Sequence, residues 1–144
     1  HQTVSRWIQY QLMRQIEEPG YVVIIDAPVD VELTAVDIVE PDLVVAAGSR
    51  REIIIPSRIC GVPDLLVEVL SPTNPSHDTH TKLHLYERVG VPEYWIVDGE
   101  AERLLRYVIQ GTHYGTPQVH HSSIEYHRLE MHATVDLELV WSRR

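Results

Sequence analysis

The run Leu65–Leu66–Val67–Glu68–Val69–Leu70 constrains this chain more than any other segment. Five apolar residues in six, launched by Gly61–Val62–Pro63 and closed by Ser71–Pro72, read as a strongly buried strand. Any fold must therefore put a sheet through this point. Yet the strand carries Glu68, and a buried carboxylate is costly unless a cation, hydrogen-bond donors or a metal meets it. Two readings stay open on these residues alone. Glu68 is either an inward-pointing charge paired with one of Arg50, Arg51 and Arg58, or a ligand in a working site.

The rest of the chain supplies what a sheet needs around that strand. Val4, Ile8, Leu12 and Ile16 recur at i+4, predicting an amphipathic helix over Thr3–Glu18 that Pro19–Gly20 ends. Tyr21–Asp26 and Val29–Leu33 read as strands, and the short Ala27–Pro28 connection predicts an antiparallel pair. Val36–Ala47 is strand-like but interrupted by Pro41, so pairing is irregular there or the strand proper begins at Asp42. Gly48–Gly61 reads as a loop with a short strand around Ile53–Ile55. Ser76 or Asp78 caps a helix that runs to Val89 and stops at Gly90. Glu93–Val97 and Arg103–Ile109 form a hairpin, Gln110–Ser123 reads as loop, and the tail alternates over Thr134–Leu139. This order predicts an α+β or mixed-sheet α/β fold, in one domain over residues 1–144. The chain opens at His1 without an initiator Met, so an N-terminal segment is expected upstream.

Charge and cysteine content narrow the partners. Twelve basic against 21 acidic residues leave a net charge of −9, which repels phosphate backbones at long range and counts against non-specific nucleic-acid binding. It leaves room for a local cationic groove or a metal-loaded acidic site. The one cysteine, Cys60, rules out an internal disulfide framework and suits a reducing, cytoplasmic setting, with an inert buried thiol the plain reading. No apolar run nears the roughly 18–20 residues that span a bilayer, so no membrane partner is expected. P-loop, dinucleotide and nucleophile-elbow motifs are absent. His80 and His84 stand at i,i+4, a spacing that holds zinc, but no Glu lies between them to serve as base, which favours solvated histidines.

Lysine usage is the unusual feature. The 12 basic residues include a single lysine, Lys82, the rest being arginine. A lone ammonium in such a chain marks a place where a compact, tunable point charge is needed. Its plain alternative is an i,i+4 pair with Asp78. With Asp42 opening one strand and Glu68 inside another, the set matches phosphodiester hydrolysis. That reaction uses a divalent cation to polarise the phosphoryl oxygen and generate hydroxide. Carboxylate oxygens suit Mg²⁺ or Mn²⁺, and a nearby ammonium stabilises the charge that builds. Asp42 and Glu68 are then the metal ligands, and Lys82 orients or acidifies the water.

At these residues the chain resembles the Uma-type putative restriction endonuclease family, within the restriction-endonuclease-like PD-(D/E)xK superfamily. The matching pieces are Pro41–Asp42–Leu43–Val44–Val45, Gly61 to Pro72 with Glu68–Val69–Leu70–Ser71–Pro72, then Asp78, Lys82 and Tyr86, and Gly90–Val91–Pro92–Glu93–Tyr94–Trp95. The resemblance implies a mixed β-sheet flanked by helices, Asp42 and Glu68 as carboxylates for Mg²⁺ or Mn²⁺, and DNA as the partner cleaved. It departs from the superfamily pattern two residues after Glu68, where Leu70 replaces the usual lysine and Lys82 on the next helix is the matching position. Asp64, four residues before Glu68, is a rival ligand or a brace of the strand entry. Asp78 braces Lys82 or caps the helix; Tyr86 touches substrate or packs; Tyr94 and Trp95 are core and rim. Arg50, Arg51 and Arg58 are candidates for phosphate contact. Family members carry a strand pair before the first helix that is not in this sequence. The rival classes are a nuclease-fold module that binds nucleic acid or a protein partner without cleaving, and an acidic interaction module acting as a homodimer.

Overall fold

The structure is a computed structural model that describes residues 2–71 and 76–144, with side chains at all of these except 76–78. In chain order the elements are α1 (Gln2–Leu12), β1 (Val22–Asp26), β2 (Val31–Glu32), β3 (Ile38–Val39), β4 (Leu43–Ala47), β5 (Ile54–Ile55), β6 (Arg58–Cys60), β7 (Leu65–Val69), α2 (Ser76–Val89), β8 (Glu93–Asp98), β9 (Arg103–Gln110), β10 (His113–Tyr114), β11 (Gln118–His120), β12 (Ser123–Arg128), β13 (Met131–Asp136) and α3 (Leu137–Ser142). The main sheet runs β1–β4–β7–β8–β9, with β10 and β11 both pairing β9. Only β7 and β8 are parallel within it, joined through α2. The other pairs are antiparallel. This is the expected mixed sheet flanked by helices.

β7 lies at the sheet centre, buried along its whole length. Alternation sends its side chains to two different layers. Leu65, Val67 and Val69 join Val4, Ile8 and Leu12 of α1 and Ile16 just beyond it, together with Trp95, Ile124 and Tyr126. Leu66 packs on the opposite face with Val44, Ala46, Tyr86, Tyr94 and Ile96. Glu68, two residues on, shares the face of Leu66 and looks toward α2.

α1 continues into a π-helical turn over Met13–Glu17, close to the expected span. Its side chains also sew it to a strand edge. Gln11 exchanges two hydrogen bonds with the Asp136 backbone (2.7 and 3.1 Å), and Gln15 does the same with Thr134 (both 2.8 Å). Four helical residues rise about 6 Å and two strand residues about 6.7 Å, so the spacings match. The edge of β13 is thereby covered.

Several local expectations change. β1 and β2 do not pair: β1 joins β4, while β2 lies parallel to β6 in a separate four-stranded sheet, β3–β2–β6–β5. Glu32 of β2 is met there by Arg58 of β6 at 2.8 Å, a partner the position beside β4 would not supply. Pro41 splits Val36–Ala47 into β3 and β4, so the strand proper starts just after Asp42. Gly48–Gly61 contains a 3₁₀ turn and two short strands. The expected loop Gln110–Ser123 includes β10 and β11, too short and polar to show a period of two. In the tail, Asp136 ends β13 and caps α3 by accepting from Leu139 N, so Leu137–Leu139 is helix rather than strand. Among the described residues no helix is long and apolar enough to cross a membrane.

Candidate active site

The C-terminal end of β7 meets the start of β4 and the middle of α2. Asp42 N donates to Val67 O at 3.1 Å, and Asp42 Oδ2 accepts from Val69 N at 2.7 Å. The Asp42 carboxylate is thus anchored on the residue next to Glu68. Burial raises its pKa, opposed by the Val69 N–H and the positive charge of Lys82. Lys82 therefore acts on both carboxylates: it is felt at Asp42, and its Nζ lies 2.6 Å from Glu68 Oε1.

Glu68 is 3 % exposed. Besides Lys82 it receives two phenols, Tyr86 and Tyr94, each donating to Oε2 at 3.0 Å. The two rings meet edge to face with centroids 4.8 Å apart. Burial first, and then the Glu68 charge, push the Tyr94 phenol well above its ordinary pKa, so it remains a donor. The cation facing Glu68 is an ammonium from α2 and not one of the loop arginines. Arg58 is bound to Glu32 at 2.8 Å. Arg50 and Arg51 lie in the 3₁₀ segment after β4, past the strand end that is about 17 Å from Asp42.

A family model described as "Uma2: Putative restriction endonuclease" matches residues 1–140. The chain belongs to this family. No curated protein matches it. Among solved structures it is similar to "a putative nuclease belonging to DUF820 from Anabaena variabilis", with a TM-score of 0.72 at 16 % identity over 99 % of this chain and 80 % of that one. That likeness supports the fold.

The remaining candidates in this Uma2-family chain fall outside the cluster. Asp64 is engaged at both oxygens, its Oδ2 accepting from Ala47 N and its Oδ1 from Arg128 Nε, both at 2.7 Å, which is the bracing contact at the strand entry. Trp95 is core, donating its indole N–H to Glu93 at 2.7 Å. His80 and His84 are exposed, in keeping with solvated histidines. Cys60 is half-buried and its thiol contacts Glu32. The Asp78 side chain lies outside the described residues. The residues that sequence reasoning missed are Tyr86 and Tyr94 as partners of Glu68. Tyr86 sits one helical turn after Lys82, a usable signal, whereas Tyr94 reaches Glu68 only through the β7–β8 register.

The donor chemistry fits a hard divalent cation. Two carboxylates supply oxygen ligands, and such ions bind one or two protein carboxylates while keeping several waters. Among the described residues no three His, Cys, Asp or Glu side chains are grouped to hold a metal ion; Asp42 and Glu68 are the two carboxylates placed where β4 begins and β7 ends.

Proposed function

We propose that the chain is a Mg²⁺- or Mn²⁺-dependent endonuclease acting on DNA phosphodiesters, with Asp42 and Glu68 holding the cation and Lys82 placing the attacking water. The observation that carries this is the 2.6 Å contact between Glu68 and the one lysine of the chain, in a member of the family described as "Putative restriction endonuclease". A bound cation supplies a Lewis acid for the phosphoryl oxygen and acidifies a coordinated water. The protein's own part is positional. The Val69 N–H orients the Asp42 carboxylate, and Tyr86 and Tyr94 fix one oxygen of Glu68, leaving the other to Lys82. The Lys82 side chain is 23 % exposed, and its ammonium is the charge that would steady a hydroxide and the negative charge growing on phosphorus.

A calorimetric titration with MnCl₂ tests the ligand assignment: the wild type shows one site and Asp42→Asn loses it, whereas a retained site removes Asp42 from the ligand set. Plasmid nicking with Mn²⁺ tests the mechanism, since Lys82→Ala abolishes it. One observation favours a second reading, a nuclease-fold module that binds nucleic acid or a protein without cleaving. Glu68 already accepts from three donors, so a cation must share Oε1 with the ammonium. Absence of Lys82-dependent nicking selects that reading.

A further inference from the structure

A cleft of about 460 Å³ opens beside Asp42, between α1 and the end of β1. Gln2, Ser5, Arg6 and Gln9 form its helix wall, and Asp26 stands opposite. Those four positions are i, i+3, i+4 and i+7, one continuous face of α1. That face is distinct from the Val4–Ile8–Leu12 stripe in the core and from the Gln11–Gln15 pair that holds β13. Packing therefore does not account for it.

Arg6 is one of four arginines, with Arg50, Arg51 and Arg103, whose side chains have no partner among the described residues, and of the four it is the one that lines this cleft. It is exposed, and among the described residues it has neither an ion pair nor a hydrogen bond. Most other arginines are engaged: Arg58, Arg88, Arg106, Arg128 and Arg144 each sit on a carboxylate, and Arg14 and Arg143 lie over aromatic rings. In a chain of net charge −9, a guanidinium left open beside a candidate metal carboxylate is a place for an anion. A guanidinium fork matches two phosphate oxygens, and glutamine and serine side chains are ordinary phosphate and sugar contacts.

We propose that this cleft seats the phosphodiester backbone of the DNA strand flanking the scissile phosphate. Arg6 binds one phosphate, and Gln2, Ser5 and Gln9 hydrogen-bond the oxygens beside it. Asp26 repels the strand from the β1 side and confines it to the helix wall. The identity of the anion as DNA rests on the nuclease reading above. Arg6 is a substrate-positioning residue, whereas Arg50 and Arg51 lie a strand's length away.

Fluorescence anisotropy with a labelled 20-base-pair duplex in CaCl₂, across a salt series, tests this. Arg6→Gln is expected to weaken binding about tenfold and to reduce the slope of log affinity against log salt by about 0.9, the value of one phosphate contact. Arg6→Lys restores the slope, because the charge is kept. A purely structural role would leave the slope unchanged, and thermal melting checks that both variants fold. Wild-type affinity and slope in Arg6→Gln overturn the proposal, as does a slope loss that follows Arg51→Gln instead, or absence of duplex binding by the wild type. The two readings fail separately. Arg6-dependent binding without Mn²⁺ nicking sinks the nuclease and leaves the cleft; Lys82-dependent nicking with binding indifferent to Arg6 sinks the cleft alone.

Discussion

Asp64 and Glu68 lie four residues apart at the two ends of one buried strand and are held in different ways. Asp64 is 1 % exposed and is clasped by a backbone N–H and the Arg128 guanidinium, which reaches it from β12. Nearby on the same sheet, Glu93 pairs with Arg106 at 2.9 Å and takes the Trp95 indole N–H. At the other end, Glu68 is met by an ammonium and two phenols. Guanidinium forks are directional and always charged, so they suit permanent braces. An ammonium is a rotatable point charge whose basicity responds to its surroundings. The chain uses arginine for the braces and reserves its lysine for the carboxylate end that Asp42 shares. The difference in cation separates support from candidate chemistry where burial alone does not.

Swapping the cations is the most severe test of that distinction. Lys82→Arg keeps a positive charge against Glu68 and is expected to cost Mn²⁺-dependent nicking at least about 100-fold, with a melting temperature near wild type; full activity would erase the contrast. Asp64→Ala is expected to do the reverse. It orphans Ala47 N and Arg128, and with Arg128 a third exposed the cost is about 2–3 kcal/mol, or roughly 5–10 °C of melting temperature for a chain of this size. A loss under 0.5 kcal/mol would demote the brace.

Glu93 gives a pH signature on the brace side. Burial raises its pKa, with Arg106 and Trp95 opposing. A carboxyl raised in the folded state binds its proton more readily there than in the unfolded chain. Its stability contribution is therefore present below the unfolded value and is lost as pH rises through the folded one, by up to about 1.4 kcal/mol per unit of separation. Trp95 reports the event directly: its emission is expected to titrate above the ordinary glutamate range, and the transition is absent in Trp95→Phe.

Two buried tyrosines on opposite faces complete the comparison. Tyr94→Phe removes a donor from Glu68 and is expected to cost about 1–2 kcal/mol in urea unfolding. Among the described residues the buried Tyr126 hydroxyl has no hydrogen-bond partner, so Tyr126→Phe is expected to be neutral or slightly stabilising. Equal costs at the two positions would show that the phenols serve packing alone.

Much of this arrangement is legible in the residues. The apolar run Leu65–Leu70, the stop at Pro19–Gly20 and the helix that ends before Gly90 follow from periodicity and turn chemistry, which act over a few residues. That Lys82 comes within reach of Glu68 follows from the scarcity of lysine and from its place on the helix after that strand, whereas their direct 2.6 Å ion pair was not legible. What stayed hidden depends on register and long-range docking. The partner of β1 was wrong because short strands state their polarity but not their neighbour. β10 and β11 escaped because two or three polar residues carry no period.

By itself the sequence determined the central strand, the two main helices and the identity of the charged residues that need partners, because burial and capping are local demands. Only the tertiary structure decided that Asp64 goes to Arg128, that Tyr86 and Tyr94 close on Glu68, and that Arg6 is left facing the cleft beside Asp42. Those outcomes depend on side chains from distant segments arriving at one place, and that is set by sheet order and helix docking rather than by any local pattern.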